Sequence, residues 1–113
     1  MRVVKVYLDD ERPTPPGWVT VRWPDEAIRL LETGRVTELS LDHDLGDDAR
    51  GTGYAVILWL EEAVAVRGFV PPTITVHTAN ASARQKMLLG VRSIERLAEQ
   101  RHAEPGGAPD PAV

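Results

Sequence analysis

Val36-Thr37-Glu38-Leu39-Ser40-Leu41 runs straight into Asp42-His43-Asp44-Leu45-Gly46. A short apolar stretch halted by a polar, acidic cluster reads as a buried strand ending in a turn. Val3 to Leu8 has the same form, stopped by Asp9-Asp10-Glu11-Arg12-Pro13. A third instance is Thr73 to His77, entered from Pro71-Pro72 and followed by Thr78-Ala79-Asn80. Three strands that each end in reactive side chains decide the reading of this chain.

The intervening segments are helical. Pro24-Asp25-Glu26 opens a helix with proline in its first turn and acids at the positive end of the dipole. Ala27, Leu30 and Leu31 share its inner face, and Gly34 follows as a cap. A second helix is expected from Tyr54 to Arg67, apolar all round in its first half, with any surplus around Ile57, Leu58 and Trp59 serving a homodimer contact. A third is expected to be capped by Ser82, with Met87, Val91, Ile94 and Ala98 at helical spacing. Gly46 to Gly53 is polar and glycine-rich and is expected to be a mobile loop; it lacks the lysine and spacing of a P-loop.

Strands separated by helices imply a parallel sheet of about four strands with helices on both faces, a three-layer α/β domain over residues 1–102. Residues 103–113, rich in Pro and Gly, are expected to be a disordered tail. The direction of the strand at Trp18–Arg22 is open. The nine residues before it reach ~30 Å when extended, against ~20 Å for a six-residue strand, so a parallel return and a hairpin both remain.

Composition narrows the function. Of 113 residues 42% are hydrophobic and 27% charged, which excludes a mostly disordered chain. Thirteen Lys plus Arg against seventeen Asp plus Glu exclude a broad nucleic-acid surface while allowing a local phosphate site. Without cysteine there is no disulfide, thiolate metal site or cysteine nucleophile. The longest apolar run, Tyr54 to Leu60, is far short of the ~20 residues that span a bilayer. No membrane association and a cytoplasmic location are expected.

In an open parallel sheet, ligands bind at the carboxyl ends of the strands. Asp9, Asp10 and Asp42 would converge there, and clustered carboxylates call for a neutralising cation. Oxygen-only ligands suit Mg²⁺ or another hard divalent cation; alternatively, Asp9-Asp10 simply caps a turn. His77 closes its strand beside Thr78 and Asn80, and the N–H groups around Ser82 and Ala83 would hold a phosphate. His43, between two aspartates, is a general acid, a ligand or a hydrogen-bonded neighbour. Arg12 and Arg50 are candidate phosphate clamps, unless Arg12 only pairs with its acidic neighbours and Arg50 is only solvated.

Tyr7-Leu8-Asp9-Asp10-Glu11, Gly17 to Val21, Asp25 to Leu31 and Leu39 to Asp42 resemble the receiver domain of two-component response regulators. That resemblance implies a metal-binding pair at Asp9 and Asp10, a phosphoacceptor at Asp42 and a hydroxyl residue at Thr78. It also implies a parallel second strand, with the first crossover helix reduced to a Pro-rich loop. The chain departs from a receiver in lacking a further strand that ends in lysine, and in carrying His43, Asp44 and His77.

Those extra residues resemble a divergent branch, the cyclic-phosphate-processing receiver-like domain. The likeness rests on Leu8-Asp9-Asp10-Glu11-Arg12-Pro13, Ser40-Leu41-Asp42-His43-Asp44-Leu45-Gly46 and His77-Thr78-Ala79-Asn80. It implies a receiver-like sheet, truncated relative to a full receiver, in a metal-assisted phosphoesterase that opens cyclic phosphates such as RNA 2′,3′-cyclic ends. Mg²⁺ would sit on Asp9, Asp10 and Asp42. His77 would act as acid or base with His43 its partner across the phosphorus, and Asp42 completes the catalytic set. Arg12, Asp44, Thr78, Asn80 and Ser82 would orient the substrate, a phosphate-bearing small molecule or RNA end. The competing expectations are a phosphoacceptor module in phosphorelay signalling and a non-catalytic metal- or partner-binding module.

Overall fold

The structure is a computed structural model that describes residues 3–103. Its elements are β1 (Val4–Leu8), β2 (Val19–Val21), α1 (Pro24–Leu31), β3 (Val36–Leu41), α2 (Gly53–Arg67), β4 (Thr73–Val76) and α3 (Ala81–Ala103). The tail expected from residue 103 lies outside the described residues, apart from Ala103, which closes α3. No helix among the described residues is long and apolar enough to cross a membrane.

The four strands form one parallel sheet in the order β2-β1-β3-β4. The hairpin alternative is thereby excluded: Val6, Tyr7 and Leu8 pair in parallel with Val19, Thr20 and Val21. This is the small receiver-like α/β sheet expected from the strand–helix alternation.

The helices, however, occupy one face and not two. Moving from β2 to β3 and from β3 to β4 crosses the sheet in the same direction, so right-handed crossovers place α1 and α2 on the same side. The third helix joins them there, its Met87, Val91 and Ile94 sharing one core with Leu60 and Val64 of α2 and Val6, Leu8, Leu39 and Leu41 of the sheet. Close packing of α2 on α3 is permitted by Gly90, where a Cβ would stand 2.5 Å from Cγ2 of Ile57. The step from β1 to β2 runs the other way and would cover the opposite face, but residues 9–18 contain no helix. That face therefore carries alternate polar residues: Lys5 pairs with Glu38 at 3.4 Å, and Thr73 and Thr75 are exposed. The domain has two layers.

Local chemistry explains the helix limits. Glu26 accepts hydrogen bonds from the backbone N–H groups of Arg22 and Trp23, both at 3.0 Å, at the start of α1. Thr52 caps α2 by accepting from Tyr54 N at 3.3 Å, and Gly68, in the left-handed region at φ 67°, ends it. The cap of α3 is Asn80 and not the expected Ser82. Its Oδ1 accepts from Ala83 N at 3.1 Å and its carbonyl from Arg84 N at 2.8 Å, so the helix starts two residues earlier than a Ser82 cap would set it.

A sheet covered on one side makes a testable contrast. Leu39→Ala, on the helix-covered face, is expected to cost about 2–5 kcal/mol in urea denaturation. Thr75→Ala, on the open face, is expected to cost less than about 1 kcal/mol. Comparable losses at both positions would mean that the second face is also packed.

Candidate functional site

Leu8, Leu41 and Val76 stand in register across β1, β3 and β4. The residues that follow them are Asp9, Asp42 and His77, and the ladder continues through them. Asp42 N donates to Leu8 O at 3.0 Å and His77 N to Leu41 O at 2.9 Å. Three side chains distant in sequence are thus delivered to one point on the sheet rim. One donor atom from each lies within 4.8 Å of the other two.

Asp9 is the centre of this cluster, its side chain 1% exposed. Oδ1 accepts from the backbone N–H groups of Glu11 and Arg12, each at 2.8 Å, which turns the chain tightly after β1. The turn returns Arg12 to the cluster, where Nη1 donates to Asp9 Oδ2 at 2.8 Å and lies 3.4 Å from Asp42 Oδ2. His77 Nε2 meets the same Asp9 Oδ2 at 2.9 Å. Burial is the largest influence on the Asp9 carboxyl and pushes its pKa up. The backbone donors of Arg12 and Glu11, then the side chains of Arg12 and His77, together outweigh it and bring the pKa down to about 2.

An ionised Asp9 can only accept, so His77 Nε2 carries a proton. Its Nδ1 lies 2.7 Å from Ser40 Oγ, and its ring stacks parallel on Tyr7 with centroids 4.3 Å apart. Burial raises the Tyr7 phenol pKa, with the Asp9 and Asp42 charges adding to the rise and Arg12 opposing it. The imidazole is therefore fixed on both nitrogens and one face.

Asp42 Oδ1 accepts from His43 N at 2.7 Å. The His43 ring turns to Asp44, Nδ1 to Oδ1 at 2.8 Å, and this bond is the main cause of the lowered Asp44 pKa, against a smaller effect of burial. Asp44 also receives Asn80 Nδ2 at 3.4 Å, and Ser82 Oγ donates to Asn80 Oδ1 at 3.2 Å. A second chain of contacts, His43–Asp44–Asn80–Ser82, thus runs beside the first.

The two chains border a cavity of about 420 Å³ whose walls include Asp9, Asp10, Arg12, Asp42, Asp44 and Thr78. Of the remaining expected site residues, His77 reaches it through Asp9, His43 through Asp44, and Asn80 and Ser82 stand behind Asp44. Asp10 lines the cavity but supplies no atom to the tight Asp9–Asp42–His77 group. Arg50 is elsewhere, bonded to Asp25 at 3.4 Å and lying over the Trp23 ring. Its loop, expected to be mobile, packs against Pro24 at Gly51, where a Cβ would stand 2.8 Å from Pro24 Cγ.

Ser40, Tyr7 and Gly53 enter the site without having been singled out in the sequence. The period-two alternation of a strand carries the signal for the first two, since Tyr7 is two residues before Asp9 and Ser40 two before Asp42. Gly53 N donates to His43 O at 3.0 Å, and a Cβ at this position would collide with the carbonyl oxygen of Asp42.

Two carboxylates and an imidazole within ligand spacing form a cluster that could bind a metal ion. The donor set fits in type, with Asp10 as a further oxygen at the rim. A parallel α/β sheet with such an acidic rim defines the receiver class. Residues 4–93 match the family described as cyclic-phosphate processing receiver domain, and the chain belongs to it. Searches of curated proteins and of solved structures return no match.

Two outcomes follow from this geometry. The depressed Asp9 pKa contributes stability that is present above about pH 4 and lost as pH falls toward 2. Wild type is expected to lose on the order of 2 kcal/mol more than Asp9→Asn across that interval in urea denaturation; parallel losses would refute the assignment. Gly53→Ala is expected to cost about 1–3 kcal/mol and to shift the backbone amide resonances of Asp42 and His43. An unperturbed NMR spectrum there would show that α2 does not press on the site.

Proposed function

We propose that this chain is a phosphoesterase that opens cyclic phosphates, with RNA 2′,3′-cyclic ends as the substrate class. The observation that carries the reading is one cavity in which a guanidinium, two strand-end carboxylates and a doubly anchored imidazole adjoin. Family membership supports the reaction class. Its partner is then a phosphate-bearing small molecule or an RNA end met in the cytoplasm.

Opening the ring forms a bond from water oxygen to phosphorus and breaks one phosphorus–oxygen ester bond. The attacking water loses a proton, and the departing oxygen gains one. Arg12, the cation on the cavity wall, matches phosphate oxygens in a two-pronged fashion and would orient them. His77 handles one proton at Nε2, exchanging its bond to Asp9 for one to the substrate. The His43–Asp44 pair serves the other side, with Asp44 at the cavity and His43 holding it. Thr78 offers its hydroxyl from the cavity wall, while Asn80 and Ser82 act one step back by holding Asp44 and the start of α3. A hard divalent cation such as Mg²⁺, held by Asp9, Asp10 and Asp42, supplies charge neutralisation for the phosphate when bound.

Phosphoacceptor signalling is less well supported, because the cavity walls among the described residues include no lysine to pair with an acyl phosphate on Asp42.

The test is hydrolysis of nucleoside 2′,3′-cyclic phosphates and of an oligonucleotide with a cyclic end, in the presence of Mg²⁺. His77→Ala and Asp42→Asn are expected to lose about 10²–10⁴-fold in kcat/KM. Full turnover by His77→Ala would overturn the role of the imidazole. Absence of turnover together with Asp42-dependent labelling by a small acyl phosphate would favour the signalling alternative.

A further inference from the structure

We propose that Arg12 and a divalent cation are alternative occupants of the space between Asp9 and Asp42, so that cation entry releases the guanidinium to the phosphate. This deepens the phosphoesterase reading and rests on it for the identity of the phosphate. The competition itself rests on the geometry of the cluster.

An ionised carboxylate offers about four lone-pair positions. At Asp9 four donors are already in place: Glu11 N and Arg12 N on Oδ1, Arg12 Nη1 and His77 Nε2 on Oδ2. A metal ion bound there must displace one of them. The two backbone donors belong to the turn that follows β1, and His77 is held by Ser40 and by stacking on Tyr7. Of the four donors, Arg12 Nη1 is the least confined. Its side chain is 41% exposed, against 1% for Asp9 and 11% for Asp42.

The guanidinium stands between the two carboxylates that would hold the ion. Nη1 is 2.8 Å from one carboxylate and 3.4 Å from the other. Two cations that close together in that gap repel each other. Arg12 offsets one of the two negative charges of the carboxylate pair. Once displaced, it remains at the cavity wall, because its backbone N–H stays tied to Asp9 Oδ1. There it is free for a phosphate. By linkage, an anion that draws Arg12 away must strengthen cation binding by the same factor that the cation strengthens anion binding.

The experiment titrates the full chain with Mn²⁺, followed by electron paramagnetic resonance, with and without inorganic phosphate. Arg12→Met and Arg12→Gln both remove the charge, and near-ultraviolet circular dichroism checks that each variant is folded. Arg22→Gln is the through-space control, since Arg22 stands beside Gly46 at the cavity and stacks over Trp23. Whichever Arg12 variant folds is expected to bind Mn²⁺ at least about 10-fold more tightly than wild type, while Arg22→Gln changes affinity less than about 3-fold. Phosphate is expected to tighten Mn²⁺ binding about 5-fold or more in wild type and to lose that effect in the Arg12 variants. Equal or weaker Mn²⁺ binding without Arg12, equal gains from both arginines, or no Mn²⁺ binding in any variant would overturn the proposal. None of these readouts requires turnover. A chain that shows the competition yet hydrolyses no cyclic phosphate would sink the enzymatic reading and leave the competition standing.

Discussion

The site depends on strand register. In a parallel ladder a slip of one residue sends every side chain to the other face. Leu8, Leu41 and Val76 are held in line because their side chains belong to the core shared with the helices. Their successors, Asp9, Asp42 and His77, must then fall on the opposite side at one level. The burial that stabilises the domain therefore also sets the distances among the reactive groups. No dedicated loop has to bring them together, and backbone hydrogen bonds beyond the last strand residues keep the alignment intact.

Such convergence creates an electrostatic problem. A carboxylate as enclosed as Asp9 is unfavourable unless its oxygens are fully hydrogen-bonded. The Asp-Asp-Glu-Arg turn solves this within four residues, since Asp9 caps the turn that brings Arg12 back onto it. Turn capping and site building were rival explanations for this acidic pair. They are two consequences of one arrangement, divided between the two oxygens of the same side chain.

Much of this was legible from the order of residues. Every strand, the helix order and the meeting of Asp9, Asp42 and His77 follow from apolar runs that end in polar clusters. The expected helices on both faces give way to a single layer, because with the order β2-β1-β3-β4 and no helix between β1 and β2, right-handed crossovers leave one face bare. Asn80 and Ser82 are both good caps, and only the hydrogen bonds to Ala83 and Arg84 select Asn80. The pressure of Gly53 on Asp42 depends on how closely α2 approaches the sheet rim, which no local pattern encodes. His43 was open for a similar reason. Following Asp42 by one residue, it is carried off that residue's face, and its ring finds Asp44.

The bare face bears on the chemistry. With no helix of the described residues packed over it, His77 takes its orientation from the sheet itself: a parallel stack on Tyr7, Ser40 at one nitrogen and Asp9 at the other. Tyr7 and Ser40 are neighbours in the β1–β3 ladder, so both supports are as rigid as the strands that carry them. Arg12 sits on a turn and is the most exposed member of the cluster. The cluster thus combines an imidazole and carboxylates carried by the sheet with one part-exposed cation carried by the turn. An anionic ligand entering the cavity would meet a preorganised floor and a guanidinium able to move to it, so the cost of rearrangement falls on the group that is least confined.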